Sequence, residues 1–307
     1  MIKSSLSELF SVEDQEKMEY QSNNVLLFDA HNMAYRTLFS AIFSNPEDNE
    51  KFFFWRHLFM NSLFNTISKF NPSKVILAFD TKGSWRYQIY SQYKSNRKDA
   101  REKATVDFEK FFPIFEQFKN EIKDAFSTIH VIDYPRAEAD DIIAVLCRES
   151  FKSNQNMIIS TDKDLHQLLT EKNNQQFDPT KNKIVSCINP KKELELKILT
   201  GDKSDAIPAI KPKTGPATAE GILKNGLDEF LNEKGNEEYK KNYIRNRELI
   251  DFDFIPKDLS DGIINTYCTY PIKAIESSKI MNFFSKNRLN RMMEEWQNIG
   301  PLIKSLK

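Results

Sequence analysis

Three short apolar runs in this chain each lead into an aspartate. Asp29 follows residues 25–28, Asp80 follows residues 75–79, and Asp162 follows residues 157–161. Short apolar runs rich in β-branched residues are typical of buried strands in a parallel sheet. Parallel sheets place ligand sites just beyond the carboxyl ends of their strands, so we expect these three carboxylates at one sheet edge. Carboxylates that lie so close raise one another's pKa values, and a hard cation such as Mg²⁺, which prefers oxygen ligands, relieves that repulsion.

Further acidic residues extend this set. They are Glu138, Asp140 and Asp141 at the start of a predicted helix, Asp164, and the pair Asp202 and Asp205 after a glycine. Residues two apart on an extended segment face the same way, so Asp162 and Asp164 can reach one ion. The pair Asp202 and Asp205 shares a face if its segment is helical or turn-like. The choice among the three acids at 138–141 stays open, because the predicted helix begins within that group.

A helix cap is the alternative explanation for the acids at 138–141, since carboxylates at a helix start are stabilised by the free N–H groups and the helix dipole. Asp80 alone would also fit a plain strand end. Caps have no reason to follow three separate buried strands, however, and the joint occurrence therefore favours a metal centre.

Residues 81–104 combine positive charge with aromatic side chains. The cations are Lys82, Arg86, Lys94, Arg97, Lys98, Arg101 and Lys103, and the aromatics are Trp85, Tyr87, Tyr90 and Tyr93. Lysine and arginine neutralise phosphates, and aromatic faces stack on unpaired bases. A solvated loop would explain the charge but not the interleaved aromatics, so we favour nucleic-acid contact. A cation here could also stabilise charge on a phosphate under attack.

A third segment, residues 201–223, lies between two predicted helices. Hairpins of this kind present backbone N–H groups and a helix N-terminus to phosphate. An ordinary helix connection explains the same pattern equally well when the segment is considered alone.

The elements that must position these residues alternate between strands and helices. We predict strands at 25–29, 75–80, 129–134 and 157–161, helices at 51–70, 137–151 and 164–170, a helix containing 115–126, and a hairpin over 175–188. The strand–helix–strand order implies right-handed crossovers. The predicted fold class is α/β, with a central mostly parallel sheet flanked by helices and a helical C-terminal domain. We expect an N-terminal arm over 1–24, an α/β domain over 25–185 and a helical domain over 186–307.

Bulk composition excludes several classes of protein. The 307 residues carry 44 basic and 44 acidic side chains, so net charge indicates no partner. Cys147, Cys187 and Cys268 lie far apart, which fits neither a zinc motif nor a disulfide framework and favours a reducing cytoplasm. The four histidines form no ligand pair by spacing. No apolar stretch approaches a membrane span, and the first residues lack a signal core.

These constellations, in this order, resemble the 5′-nuclease superfamily, which includes flap endonucleases and the 5′-nuclease domains of bacterial DNA polymerases. Within it they are similar to the ribonuclease H type of T-even bacteriophages. The strings that carry the resemblance are Leu27-Phe28-Asp29, Phe79-Asp80 with Trp85-Arg86, Tyr93-Lys94-Ser95-Asn96-Arg97-Lys98, Glu138-Ala139-Asp140-Asp141, Ser160-Thr161-Asp162-Lys163-Asp164, Gly201-Asp202-Lys203-Ser204-Asp205 and Leu249-Ile250-Asp251-Phe252-Asp253-Phe254-Ile255-Pro256. Each string is weakly specific, whereas the ordered set is strongly so.

The resemblance implies two Mg²⁺ sites, for which Mn²⁺ is expected to substitute. The first would be surrounded by Asp29, Asp80, Glu138, Asp140 and Asp141, and the second by Asp162, Asp164, Asp202 and Asp205. Lys94 and Arg97 match the catalytic cations of the family's helical arch. Contacts to nucleic acid are implied for Arg36, Arg86, Tyr93, Lys98, Lys203, Lys213, Gly215 and Thr218.

The segment 201–223 corresponds to the family's helix–three-turn–helix, which grips duplex DNA and often holds a potassium ion, making K⁺ a candidate cofactor. This chain departs from that motif at Ala209, at Lys211 and Pro212, and at Pro216, which removes a backbone donor.

The function implied is Mg²⁺-dependent 5′-to-3′ exonuclease and flap endonuclease activity on RNA–DNA hybrids and on flapped or nicked DNA. The biological setting would be primer removal in phage lagging-strand replication. Implied partners are a sliding clamp and a single-stranded-DNA-binding protein, and the chain is expected to be a monomer. Two alternatives stay open, namely a PIN-type ribonuclease and a non-catalytic protein that binds branched DNA.

Overall fold

The centre of the protein is a six-stranded sheet with the spatial order β3-β2-β1-β4-β5-β6. The computed structural model describes residues 23–44, 50–104 and 106–307. Its strands are Asn24–Asp29 (β1), Lys74–Ala78 (β2), Ile129–Ile132 (β3), Gln155–Ile159 (β4), Asn174–Asp178 (β5) and Lys183–Ile184 (β6). Strands β1 to β5 pair in parallel, and β6 pairs antiparallel with β5. The predicted mostly parallel sheet is therefore confirmed.

Twelve α-helices connect and extend the sheet within the described residues. They are Ala30–Ser44 (α1), Lys51–Phe70 (α2), Asn96–Glu102 (α3), Phe108–Ala125 (α4), Ala139–Val145 (α5), Pro190–Thr200 (α6), Pro216–Asn225 (α7), Leu227–Asn232 (α8), Glu237–Ile250 (α9), Lys257–Cys268 (α10), Ser277–Lys286 (α11) and Asn290–Ser305 (α12). Short 3₁₀ helices span Trp85–Gln88, Asp164–Thr170 and Phe252–Phe254, and a π-helical turn spans Leu146–Ser150.

Both faces of the sheet are covered, which explains why β1 and β4 read as continuous apolar runs. One face packs against α1, α2 and α4 around an aromatic cluster, in which the Trp55 ring lies 5.0 Å from Phe111 and 5.3 Å from Phe118. The other face packs against α5 through side chains such as Ile142 and Ile143. Because β1 is central and buried, the position of Asp29 at its end is fixed by the core.

The helical region after β6 has two parts. Helices α6, α7, α8 and α9 enclose a core of their own that includes Ile198, Ile210 and Tyr243. By contrast, α11 and α12 return to the aromatic core of the α/β region through side chains such as Phe284 and Trp296. The boundary near residue 186 stays a prediction, and the last two helices share a hydrophobic core with the α/β region.

Several predicted elements differ at their ends. The helix predicted over 137–151 is α-helical for Ala139–Val145 and continues as the π-helical turn. Helix α4 begins at Phe108, where the Asp107 side chain accepts a hydrogen bond from the Lys110 N–H, and it contains Pro113 within its first two turns. The arm predicted over 1–24 falls almost wholly outside the described residues. None of the described helices is both long and apolar enough to cross a membrane.

Candidate metal centre and nucleic-acid interface

The first cluster of acids forms where three parallel strands end. Asp29 is the last residue of β1, Asp80 follows β2 and Asp162 follows β4. Ser160 links two of these ends, because its Oγ donates to Asp29 Oδ2 (3.2 Å) and accepts from the Asp162 N–H (3.0 Å). The pKa of Asp29 is raised to about 7, mainly by burial and to a smaller extent by the charges of Asp80 and Asp162. The strand ends thus bring these carboxyls together.

Asp140 and Asp164 complete the acidic centre of the site. Burial and the charges of Asp162, Asp29, Asp164 and Asp80 hold the pKa of Asp140 well above its usual range. A hydrogen bond of 2.9 Å, from the Asp164 N–H to Asp162 Oδ1, holds Asp164 in position. Burial raises the pKa of Asp164 to about 6, even though Lys197 opposes that shift. Burial and mutual repulsion thus oppose the ionisation of these carboxyls, and a bound divalent cation would offset both effects.

Glu138 and Asp205 form a second part of the site, in contact with the basic segment. Lys94 Nζ forms an ion pair with Glu138, and Arg97 donates to Asp205 Oδ1 at 2.6 Å. Burial opposes ionisation of Glu138, but Lys94 and Arg86 lower its pKa to about 2. Lys94 and Arg97, predicted as catalytic cations, therefore lie directly beside acids predicted as metal ligands.

The backbone at Lys94 holds this arrangement in place. Lys94 has φ 55°, in the left-handed region, and its N–H donates to the Asp205 carbonyl at 2.8 Å. Non-glycine residues in that region concentrate at functional sites, where surrounding contacts maintain the strain. The basic segment is thereby joined to the 201–223 hairpin at the acidic centre.

Lys197 is a member of the site that sequence reasoning missed. Its Nζ forms an ion pair with Asp164 and another with Asp202 Oδ2 at 2.7 Å. Lys197 lies on α6, about one helical turn before Gly201. Its closeness in sequence to Asp202 was the available signal that it belongs to the site. A lysine between two predicted ligands places a positive charge where the second metal ion was predicted.

Two cavities meet at these acids. One of about 20 Å³ is lined by acids and by neighbours from the basic segment, and it can hold one water-sized group. Its polar lining is Arg86, Tyr93, Glu138, Asp140, Asp164, Asp202 and Asp205. The other, of about 1000 Å³, opens beside the basic segment 81–104. It lies between Asp80, Lys94 and the aromatic residues Tyr35 and Phe115. The larger cavity has room for a nucleotide strand end beside the acids.

His31 also lies at this edge of the larger cavity, although its spacing gave no signal. Its Nδ1 accepts the Asp80 N–H at 3.1 Å, which fixes the neutral tautomer with the proton on Nε2. Burial lowers the pKa of His31 although the Asp80 carboxylate acts in the opposite direction. His31 therefore helps to orient the segment that carries Asp80.

Asp141 is placed differently from the predicted metal ligands around it. It is fully buried and accepts hydrogen bonds from Arg86 (2.8 Å to Oδ1) and from Trp85 Nε1 (3.1 Å to Oδ2). Its Oδ2 also accepts the Glu138 N–H, so the two acids cap the start of α5. In this structure Asp141 therefore caps a helix and pairs with arginine, and its role as a metal ligand stays a prediction.

Arg86, which was predicted to contact nucleic acid, is buried in this structure. Arg86 is 3% exposed. Its guanidinium donates to Glu138 Oε2 (2.9 Å), to Asp141 and to the Leu249 carbonyl (2.8 Å). These partners hold Arg86 inside the protein, where it neutralises the acids at the start of α5.

Tyr93 likewise points inward in this structure. It is 3% exposed, and its hydroxyl lies 2.8 Å from Glu138 Oε2 and 3.1 Å from Asp205 Oδ2. The predicted stacking of Tyr93 on a base is therefore not available in this conformation. Tyr87, whose ring lies 5.7 Å from Tyr93 and which is 43% exposed, offers an aromatic face instead.

The remaining predicted contacts lie on the surface or in a separate groove. Lys98, Lys203, Lys213 and Thr218 are exposed, and Gly215 precedes the first residue of α7. Arg36 lies in a groove between α1, α2 and β5, where its guanidinium donates to Ser62 Oγ at 2.8 Å. That groove is distinct from the two cavities at the acids.

Gly201 explains how the hairpin brings Asp202 to the site. It has φ 70°, and a Cβ there would lie 2.3 Å from the Ile207 carbonyl oxygen. The backbone of Asp202 pairs with that of Ile207 in both directions. This close turn requires glycine and turns Asp202 toward Lys197.

The geometry therefore offers eight carboxylates in one centre, bordered by cations and an open cavity. They are Asp29, Asp80, Glu138, Asp140, Asp162, Asp164, Asp202 and Asp205. Such a donor set fits hard divalent cations, and bound metal with adjacent cations suits hydrolysis of a phosphodiester.

Two family models match the chain. Residues 24–197 match the model described as 5′-3′ exonuclease, N-terminal resolvase-like domain, and residues 188–299 match the one described as T4 RNase H, C terminal. Ribonuclease H from Enterobacteria phage T4 is 32% identical over 262 residues, which cover 77% of this chain and 84% of that protein. A 5′-3′ exonuclease from Aquifex aeolicus is 28% identical and covers 77% of this chain and 80% of its own.

Solved structures share the fold. The bacteriophage T5 flap endonuclease, in a complex with DNA and metal ions, aligns with a TM-score of 0.62 at 20% identity over 80% of this chain and 98% of its own. The T5 5′-exonuclease with bound zinc aligns with a TM-score of 0.55 at 20% identity over 87% of this chain and 98% of its own.

Proposed function

This chain belongs to the 5′-3′ exonuclease family, and from that premise we propose that it is a Mg²⁺-dependent nuclease acting at 5′ ends. Its substrates would be RNA–DNA hybrids and flapped or nicked duplex DNA. The observation that supports this most strongly is the gathering of eight carboxylates beside Lys94 and Arg97, from the ends of three strands, the start of α5 and a hairpin.

We further propose how the metal ligands are divided between two ions. Asp29, Asp80 and Asp140 would hold one ion, while Asp164 and Asp202 would hold the other, and Asp162 lies between the two groups. When bound, such a pair of ions supplies an activated water and neutralises charge at the phosphate. Lys197 would leave the space between Asp164 and Asp202 when the second ion binds.

Cations of the basic segment would act on the phosphate itself. Lys94 is 14% exposed in its side chain and lines the large cavity, so it can turn from Glu138 toward a phosphate oxygen. Arg97 lies 2.6 Å from Asp205 and can do the same. Exposed Tyr87 would stack on an unpaired base, and the lysines at 203 and 213 would contact duplex phosphates.

The wider setting is part of the same proposal. The chain would act as a monomer in the cytoplasm of a phage-infected cell, removing primers during lagging-strand synthesis. A sliding clamp and a single-stranded-DNA-binding protein would cooperate with it. Residues 25–185 would form the nuclease domain and residues 186–307 the DNA-binding region, and K⁺ at the hairpin is retained as a candidate.

A cleavage assay on branched DNA tests the proposed activity. A duplex with a 5′-labelled flap should release short labelled products with Mg²⁺ and none with EDTA. Matched flaps with RNA or DNA tips then determine the sugar preference. Cleavage of single-stranded RNA alone would instead favour a PIN-type ribonuclease, and tight binding without any cleavage would favour a non-catalytic DNA-binding protein.

The variant Lys94→Ala should slow the chemical step by about 10²-fold, because a preorganised cation is lost from the phosphate undergoing attack. Single-turnover kinetics at saturating substrate measure this step directly. Lys98→Ala is the comparison variant, since Lys98 lies on the same segment with 83% of its side chain exposed. As a predicted nucleic-acid contact, Lys98 should affect binding but not the rate of the chemical step at saturating substrate. Equal rates for Lys94→Ala and the parent enzyme would remove Lys94 from the mechanism.

Metal-free protein should lose stability as the pH rises. Folding raises the pKa of Asp29 to about 7 and that of Asp164 to about 6, so the folded state binds more protons than the unfolded state above the usual carboxyl range. This stabilisation is present at low pH and disappears as the pH rises through those folded values. We therefore expect Mg²⁺ to raise Tm more at about pH 8 than at about pH 5.

Thermal unfolding with Mg²⁺ or EDTA checks this expectation. The variant Asp29→Asn removes one of the repelling charges and should raise the Tm of the metal-free protein at about pH 8, relative to the parent. An increase in Tm by Mg²⁺ that is the same at both pH values would contradict the assignment.

A further inference from the structure

A second group of metal-ligand side chains lies outside the two cavities of the acidic centre. The nearest ligand atoms of His166, Cys187 and Glu193 all lie within 4.8 Å of one another. His166 Nδ1 is 2.7 Å from Glu193 Oε2. The three residues are not close enough in sequence to form a motif, so spacing alone gave no indication of this group.

Three different segments supply these side chains. His166 belongs to the 3₁₀ helix Asp164–Thr170, Cys187 to the connection after β6, and Glu193 to the first turn of α6. The start of α6 is fixed, because Asn189 Oδ1 accepts the Lys192 N–H at 3.0 Å and the Asn189 carbonyl accepts the Glu193 N–H at 3.0 Å. Cys187 therefore lies just before the capped start of α6, and Glu193 lies just after it.

We propose that His166, Cys187 and Glu193 bind a divalent transition-metal ion, with Zn²⁺ as the preferred ion. Imidazole, thiolate and carboxylate are the three protein ligands that zinc takes, and three such ligands leave a fourth position for water. Mg²⁺ does not suit this set, because it requires octahedral oxygen coordination. The acidic centre offers carboxylate oxygens, so the two sites differ in the metal that they select.

The geometry requires small movements only. Tetrahedral zinc with its usual bond lengths separates neighbouring ligand atoms by roughly 3.3 to 3.6 Å. The distance of 2.7 Å between His166 Nδ1 and Glu193 Oε2 would increase slightly. Cys187 Sγ, which lies within 4.8 Å of the other ligand atoms, would move closer to them. The Glu193 side chain is 49% exposed and that of His166 is 14% exposed, so an ion can enter from solvent.

Without an ion, hydrogen bonds join the same three groups. Burial and the Glu193 carboxylate raise the pKa of the Cys187 thiol to about 11, so the thiol keeps its proton. A metal ion would replace that proton and join the three segments through bonds instead of hydrogen bonds. The ion would then fasten the 3₁₀ helix that carries Asp164 to helix α6, which carries Lys197.

Cobalt binding to the whole 307-residue chain tests the proposal. Co²⁺ takes the same ligands as Zn²⁺, and a thiolate bound to Co²⁺ gives a near-ultraviolet charge-transfer band that carboxylates cannot give. We expect one equivalent of Co²⁺ to produce this band in excess Mg²⁺, and Zn²⁺ to abolish it. The same equivalent of Zn²⁺ should raise Tm.

Variants separate this site from the acidic centre and from other thiols. Cys187→Ser and, independently, His166→Gln should lose the band and the rise in Tm, with circular dichroism showing that each variant folds. Cys268→Ser, which changes an exposed cysteine, and Asp80→Asn should keep both. The absence of a band in the parent protein, or its persistence in Cys187→Ser, would overturn the proposal.

Discussion

Replacement of Asp80 by asparagine is expected to lower the rate of cleavage by about 10³-fold or more, because each ligand carboxylate contributes to charge stabilisation worth several kcal/mol. Asp80 Oδ1 accepts the Ala139 N–H at 2.8 Å, an interaction that asparagine can keep. The side chain of Asp80 is 32% exposed, so its carboxylate faces the large cavity. The substitution removes a charge without changing the shape of the site, and binding of branched DNA should persist.

Single-turnover cleavage of a 5′-flap substrate at low-millimolar Mg²⁺ measures this effect, and fluorescence anisotropy in EDTA measures DNA binding. Asp162→Asn should behave like Asp80→Asn, since both acids border Asp29. Asp261→Asn is the control, because Asp261 pairs with Lys257 on an exposed face of α10. Parental rates for Asp80→Asn at saturating substrate would remove the carboxylate centre from the mechanism.

Replacement of Arg86 by methionine is expected to lower the free energy of unfolding by about 3–5 kcal/mol, which is the cost of leaving buried charges without their partner. Arg86 makes an ion pair with Glu138 and another with Asp141, whose side chains are 12% and 0% exposed. Methionine fills much of the same volume but cannot neutralise either carboxylate.

Urea unfolding of the metal-free protein measures the loss. Arg136→Met is the matched control, because Arg136 forms an ion pair with Asp258 at the surface, where such pairs contribute about 1 kcal/mol or less. Adding Asp141→Asn to Arg86→Met should restore part of the stability, since one of the unpaired charges is then removed. Equal losses for the two arginine variants would contradict the assigned role of Arg86.

The sequence was most informative where burial and chain direction determine position. Apolar runs that end at Asp29 and Asp80 predicted both a parallel sheet and the edge at which their carboxylates meet. The periodicity of apolar side chains also gave the exact bounds of α2, Lys51–Phe70. These features depend on residues close together in the chain and could therefore be found in a single sequence.

The roles of individual cations could not be found in this way. Arg86 and Lys98 belong to the same basic segment, yet one is buried and the other exposed. The difference depends on partners some 50 positions along the chain, such as Glu138 and Asp141, whose approach is set by the packing of α5. Local spacing contains no signal for such contacts. The same reason explains why the group at His166 was missed. For Lys197 it applies to the contact with Asp164, 33 positions away, but not to the contact with nearby Asp202.

The order of the strands also governs when the protein can first act. β1 pairs with β4, whose residues are synthesised about 130 positions later, as the Ser160–Asp29 hydrogen bond illustrates. The carboxylate set is complete only with Asp205, well past the middle of the chain. A chain translated only as far as β4 therefore lacks Asp202 and Asp205, two of the proposed ligands. Such a long-range arrangement also makes the sheet slow to form, so full activity should appear with a delay after translation.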